Sequence, residues 1–188
     1  DSKEFQVQPN TVDPRKAILE LDQAIPKDWD IVVGGGHYFS IAMTHMKGRP
    51  ADKYHVVNEF GAIGSGLPAA IGIAAARGDG KVMLIEGDGS LLMHIQELET
   101  IRRQGIRMLI SVMNDGGYGA EFHKFRANGI DPSAAIHGRG DIAAMATGFG
   151  LRSASVTEMG RFAPLFREHQ AANIGTLWDI HTDDLIPS

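Results

Sequence analysis

Two hydrophobic patterns alternate along this chain. Nearly continuous apolar runs occur at residues 30–34, 54–57, 81–86, 107–113 and 176–181, with a more polar strand segment at 151–156. Each run reads as a short strand buried on both faces. Between them, apolar residues recur three or four positions apart, which predicts helices. Over the first helix, from Pro14 to about Ile25, the residues Ala17, Ile18, Leu21, Ala24 and Ile25 share one face, and proline suits its first turn. Further helices are expected over 38–46, 66–77, 90–104, about 141–147, and 158–172, with Gly105 stopping the fourth. Residues 66–77 are almost all small, so that helix can approach its neighbours closely, either as plain core packing or beneath a ligand. Residues 1–12 are polar and aperiodic; they read as a linker from a preceding domain, with 13–188 as the folded unit. Alternating strands and helices predict an α/β fold: three layers, α/β/α, around a mainly parallel sheet of about six strands.

The candidate chemistry lies where two of these strands end. Gly87-Asp88-Gly89-Ser90 follows the run Val82-Met83-Leu84-Ile85, and Asn114-Asp115-Gly116-Gly117-Tyr118 follows the run from Met108 to Met113. The 24 residues between Gly89 and Asn114 read as one helix and a strand. Such a unit sets its strands side by side and brings Asp88 and Asp115 to one carboxyl edge, where open α/β sheets bind ligands. Two carboxylates, glycine-exposed carbonyls and a helix opened by Ser90 suit a hard cation carrying a phosphorylated ligand. Gly-Asp-Gly-Ser alone is also an ordinary turn and cap sequence; the second element at this spacing gives the pair its weight.

Together these segments resemble the diphosphate-binding signature of thiamine diphosphate-dependent enzymes, in the group of acetohydroxyacid synthase, pyruvate decarboxylase and benzoylformate decarboxylase. The resemblance implies Mg²⁺ bound by Asp88, Asp115 and the Gly117 carbonyl, with Gly87, Gly89, Ser90, Tyr118 and Gly119 around the diphosphate. Asp115 stands where the family usually has asparagine; its extra negative charge is expected to weaken cofactor affinity or favour a different divalent ion. The segment Asn58 to Gly72 resembles the stretch that precedes the first signature strand. There Ile63 matches the bulky residue that supports the bent cofactor, and Gly61 matches the residue whose carbonyl meets the aminopyrimidine. His37, after Gly34-Gly35-Gly36, falls where relatives carry Gln or His. Glu121 matches an active-site glutamate of the pyruvate decarboxylase branch and is the candidate catalytic acid–base group. The resemblance covers roughly residues 12–182.

It further implies a small 2-keto acid substrate and a homo-oligomer, dimer or tetramer. The activating glutamate would come from a separate pyrimidine-binding domain or subunit. Glu59 does not substitute for it, since it aligns just before the pyrimidine-contacting segment, so the chain is expected to supply half of an active site. Two alternatives stay open: a thiamine diphosphate-binding module without catalysis, and a metal-dependent phosphohydrolase using Asp88 and Asp115.

Composition narrows the field. A hydrophobic fraction of 43% and a charged fraction of 22% are those of an ordinary globular domain. A net charge of −5 without a long basic run argues against nucleic acid. With no cysteine there is no disulfide, thiolate site or cysteine nucleophile, which fits a cytoplasmic protein. No apolar stretch reaches the roughly 18 residues of a membrane span. The chain does not begin with Met and reads as a piece of a longer polypeptide. Gly34-Gly35-Gly36 lacks the spacing of a dinucleotide site. His94 reads as a core or interface residue, and His137, His169 and His181 lack zinc spacing.

Overall fold

The computed structural model describes residues 3–187. In chain order its elements are α1 (Pro14–Ala24), β1 (Asp30–Gly34), α2 (Tyr38–His45), β2 (Tyr54–Val57), α3 (Gly66–Arg77), β3 (Val82–Gly87), α4 (Asp88–Leu92), α5 (Glu97–Arg103), β4 (Leu109–Asn114), α6 (Gly119–Ala127), α7 (Ile142–Gly148), β5 (Arg152–Val156), α8 (Phe162–Ala171) and β6 (Thr176–His181). The six strands form one sheet in the order β2-β1-β3-β4-β6-β5, and every pairing is parallel. Parallel neighbours cannot be joined by a tight turn, so each connection crosses a face of the sheet as a helix.

Each face carries its own core. On one side α1, α2 and α8 bury Ile18, Leu21, Ile41, Phe162 and Phe166 against Ile31, Val33, Ile85 and Trp178. On the other, α3, α4, α5 and α7 bury Leu67, Ile71, Leu91, Leu98 and Ile142 against Val32, Leu84, Ile110 and Leu177. The central strands β1, β3 and β4 are buried throughout, as their unbroken apolar runs require. Residues 3–12 form no regular element beyond one bridge, Val12 to Thr182. They are nevertheless tied down: the Gln8 N–H donates to Asp183 Oδ2 at 2.7 Å, and the Val12 N–H donates to the His181 carbonyl at 2.8 Å.

Two elements differ from expectation: α6 is a helix outside those expected, and the crossover from β3 to β4 is broken. The helix read over 90–104 is two, α4 and α5. In the turn between them the N–H groups of His94, Glu97 and Leu98 bond carbonyls three residues back, the tighter 3₁₀ pattern. The turn is anchored sideways onto the loop after β2. Ser90 Oγ accepts from the Gly64 N–H at 2.7 Å, and the His94 ring packs over Gly64, where an added Cβ would meet Nδ1 at 3.1 Å.

Strand order creates the crevice. From β1 the chain moves outward to β2, then returns across the sheet to β3 on the other side of β1. The loops after β1 and β3 therefore diverge, and the space between them is the usual ligand position of such sheets. At the opposite edge, salt bridges close the ends of β1 and α3. Arg77 pairs with Asp30 and, at 2.7 Å, with Asp79; His55 lies 3.1 Å from Asp30, and Lys81 pairs with Asp28 at 2.6 Å.

Candidate active site

Four loops at the carboxyl edge enclose a cleft of about 280 Å³. They follow β1 (Gly35 to Tyr38), β2 (Asn58 to Ile63), β3 (Gly87 to Ser90) and β4 (Asp115 to Tyr118). The residues assigned to the site from the sequence all line this cleft: His37, Gly61, Ile63, Gly87, Asp88, Gly89, Ser90, Asp115, Gly117, Tyr118, Gly119 and Glu121.

The register explains the meeting of the two acids. Gly87 pairs with Met113 across β3 and β4, so Asp88 and Asp115 leave adjacent strands almost level. Asp88 Oδ2 accepts from the Gly116 N–H at 3.0 Å, and Asp115 Oδ1 from the Gly117 N–H at 3.2 Å. These two bonds do not compensate for burial. Burial, opposed by His137, raises Asp88 to about 6. Burial, reinforced by the charge of Asp88, raises Asp115 to about 8. A buried and a half-buried carboxyl that repel each other, with a histidine Nε2 at 3.7 Å from Asp88 as the nearest ion-pair partner, make a site short of positive charge. Among the described residues no group of three or more His, Asp or Glu side chains is gathered for a metal; a cation here would have two carboxylates, backbone and ligand oxygens, the donor set Mg²⁺ prefers.

Gly117 forms an antiparallel bridge with Ile136, but its bonds run through Gly116 and Tyr118: the His137 N–H donates to the Gly116 carbonyl at 3.0 Å and the Tyr118 N–H to the Ala135 carbonyl at 2.8 Å. The Gly117 carbonyl is left outside that pairing. Two glycines are needed for space. An added Cβ at Gly89 would meet the Tyr118 ring at 2.8 Å, and one at Gly119 would collide with Asp115 and meet the His37 Cβ at 2.8 Å.

Ser90 was expected to open the helix; α4 instead starts at Asp88, with Gly87 as its cap. The helix begins a residue pair earlier because β3 runs straight into it, and the Ser90 hydroxyl is turned to Gly64 while still lining the cleft. Glu121 is exposed in the first turn of α6 and lines the cleft. His123 lies two residues further along α6, with its ring stacked on His37 at 4.4 Å.

Sequence reading missed several neighbours. His137, given no role from its spacing, faces Asp88 and packs edge-on against Tyr118 at 5.5 Å. Arg139 braces the same loop: its Nε donates to the Asn114 carbonyl at 3.3 Å and its Nη2 to the Thr182 carbonyl at 2.6 Å. Both lie in an aperiodic loop at least 19 residues from their partners. Glu86 was passed over as strand. It is fully buried beneath the β1 loop against Gly34 and Gly66, and its Oε2 has no partner. The Tyr38 phenol has one proton and two acceptors in reach, Glu86 Oε1 at 2.7 Å and the Gly35 carbonyl at 3.0 Å. Burial raises Glu86.

Comparison with known proteins agrees with this geometry. Residues 34–178 match the family "Thiamine pyrophosphate enzyme, C-terminal TPP binding domain", and the chain belongs to that family. It is 30% identical over 189 residues to acetolactate synthase 2, chloroplastic, of Zea mays, covering 94% of this chain and 30% of that protein. It is 34% identical over 122 residues to the large subunit of acetolactate synthase isozyme 1 of Escherichia coli, covering 63% and 21%. A solved structure, the thiamine diphosphate-dependent 4-hydroxybenzoylformate decarboxylase of Rhodococcus jostii RHA1, superposes with a TM-score of 0.85 at 26% identity, covering 97% of this chain and 35% of that one. The chain thus spans about three-tenths of the length of the curated relatives it matches. No helix among the described residues is long and apolar enough to cross a membrane.

Proposed function

We propose that this chain supplies the diphosphate- and metal-holding half of an active site that decarboxylates or ligates 2-keto acids, in the manner of the acetolactate synthase-like enzymes it resembles. One observation carries the reading: buried Asp88 and half-buried Asp115 repel each other on adjacent strands, with their carboxyls raised, at the switch point of a sheet whose family binds thiamine diphosphate. A divalent ion held by Asp88, Asp115 and the Gly117 carbonyl would turn their repulsion into binding energy and bridge to a diphosphate. Gly87, Gly89, Ser90, Tyr118 and Gly119 line the wall around that position, while Gly61, Ile63 and His37 line the remainder of the cleft. When bound, the cofactor supplies the nucleophilic carbon and the electron sink for loss of carbon dioxide.

The protein's part is to bind, orient and handle protons. In this reading Ile63 would hold the cofactor bent, and Glu121 would give or take a proton at the reacting end. Among the described residues the cleft is lined by three acids, Asp88, Asp115 and Glu121. With two on the metal and one at the substrate, the glutamate that activates the pyrimidine ring is left to a pyrimidine-binding domain or subunit, within a homo-oligomer.

The test is carbon dioxide release from a panel of 2-keto acids by the full-length protein, with and without thiamine diphosphate and Mg²⁺. Release that requires both is expected. Intact cofactor bound without turnover would make the chain a binding module; phosphate released from the cofactor would make it a hydrolase.

A further inference from the structure

The cofactor cleft opens sideways into a second cavity of about 550 Å³ between α2 and α6. The two share Gly36, His37, Phe39, Ala120 and Lys124 as walls. Their charge differs. The cleft carries Asp88, Asp115 and Glu121, whereas the side groove has no acidic residue in its lining. Ser40 and the stacked pair His37 and His123 supply its other polar groups. Among the described residues, Lys124 is the only lysine or arginine lining either cavity, and no ion pair occupies it. Glu121, one turn away on the same helix, does not reach it, and the nearby Asp184 is engaged by Arg126 at 2.8 Å. Burial lowers His37; burial and the neighbouring His37 hold His123 at about 4. Lys124, an exposed side chain at the mouth of the groove, is therefore its one lysine or arginine among the described residues.

A cation so placed would be a poor partner for the carboxylate that leaves. That group loses its charge as carbon dioxide departs, so an ammonium beside it would favour the ground state over the transition state. An acid group that stays on the product is held equally well before and after the reaction. We propose that the groove is a specificity pocket: Lys124 pairs with a second, retained acid group of the substrate, which makes the preferred class 2-keto acids with a distal carboxylate or comparable anion. This rests on the 2-keto acid reading above.

The test uses the full-length holoenzyme and two substrates of similar length, 2-oxoglutarate and 2-oxohexanoate. The diacid should be preferred in kcat/KM by at least tenfold. Lys124→Met should reduce that ratio about 10–100-fold, the range of a charged hydrogen bond, chiefly through KM, and Lys124→Arg should keep most of it. Glutarate has no keto group to react and is the binding probe. Calorimetry should show it binding to the wild-type holoenzyme and not to Lys124→Met. A ratio unmoved by Lys124→Met, no binding of glutarate, or a tenfold loss of thiamine diphosphate affinity in Lys124→Met would each overturn the assignment. Lys124-dependent glutarate binding without turnover of any 2-keto acid would uphold the groove and remove the proposed reaction instead.

Discussion

The two edges of the sheet treat the same residue type in opposite ways. At the amino edge Asp30 is also buried, which alone would push its carboxyl up; hydrogen bonds from His55 and Arg77 bring it below its ordinary value. Asp79 is lowered by its bond from Arg77. At the carboxyl edge Asp88 and Asp115 are raised, because burial outweighs the nearby His137 and Arg139. One edge is electrostatically finished and the other is waiting for a charge. An unpaired buried acid costs stability, so its presence at a cleft signals binding more clearly than an acidic residue in a satisfied network does.

Five changes break or sharpen this contrast. The largest effect is expected at the exposed acid of the same cleft. Glu121→Gln should lower the catalytic rate of the intact enzyme about 10²–10⁴-fold and remove one limb of its pH–rate profile, with cofactor affinity little changed. A near-normal rate and profile would leave Glu121 as a solvated side chain. Second, Asp88→Ala should weaken Mg²⁺-dependent thiamine diphosphate binding by about 100-fold or more in calorimetry, since it removes a carboxylate from the metal position. Asp79→Asn, at the paired edge, should leave that affinity unchanged.

Third, Asp30→Asn should destabilise the protein by about 2 kcal/mol in denaturant unfolding, because Arg77 and Lys53 lose a nearly buried counter-charge. Asp115→Asn should do the reverse in the metal-free protein, on the order of 1 kcal/mol. The sign follows from proton linkage. Asp115 titrates near 8 when folded and near 4 when unfolded, so between those values the folded state binds the extra proton and wild-type stability falls as pH rises. The stability of Asp115→Asn relative to wild type should therefore grow from pH 5 to pH 8. If the difference in unfolding midpoint is flat with pH, Asp115 is not the strained acid described.

The same contrast shows what the sequence could and could not convey. The pairing of Asp88 with Asp115 was legible because a strand–helix–strand unit fixes the register of its two ends, whatever the crossover does in between. The crossover itself was misread. Its apolar spacing fits one helix, and only the sideways anchors at Ser90 and His94 reveal the tightened turn. His137 and Arg139 reach the site from a loop without periodicity, where nothing in the residue order marks the contact. Glu86 did carry a signal: a charged residue continuing a run of buried apolar ones, with glycines at Gly34 and Gly66 making room for it.

Strand order also sets a schedule. β5 hydrogen-bonds only to β6, and β6 lies between β4 and β5. As the chain is synthesised, β5 is finished before its sole partner exists, and the sheet stops at β4 until residues 176–181 arrive. An apolar strand left waiting would invite aggregation. β5 is instead Arg-Ser-Ala-Ser-Val, with Val156 alone fully buried. The strand made early and seated late is the one whose own residues can tolerate the delay in water.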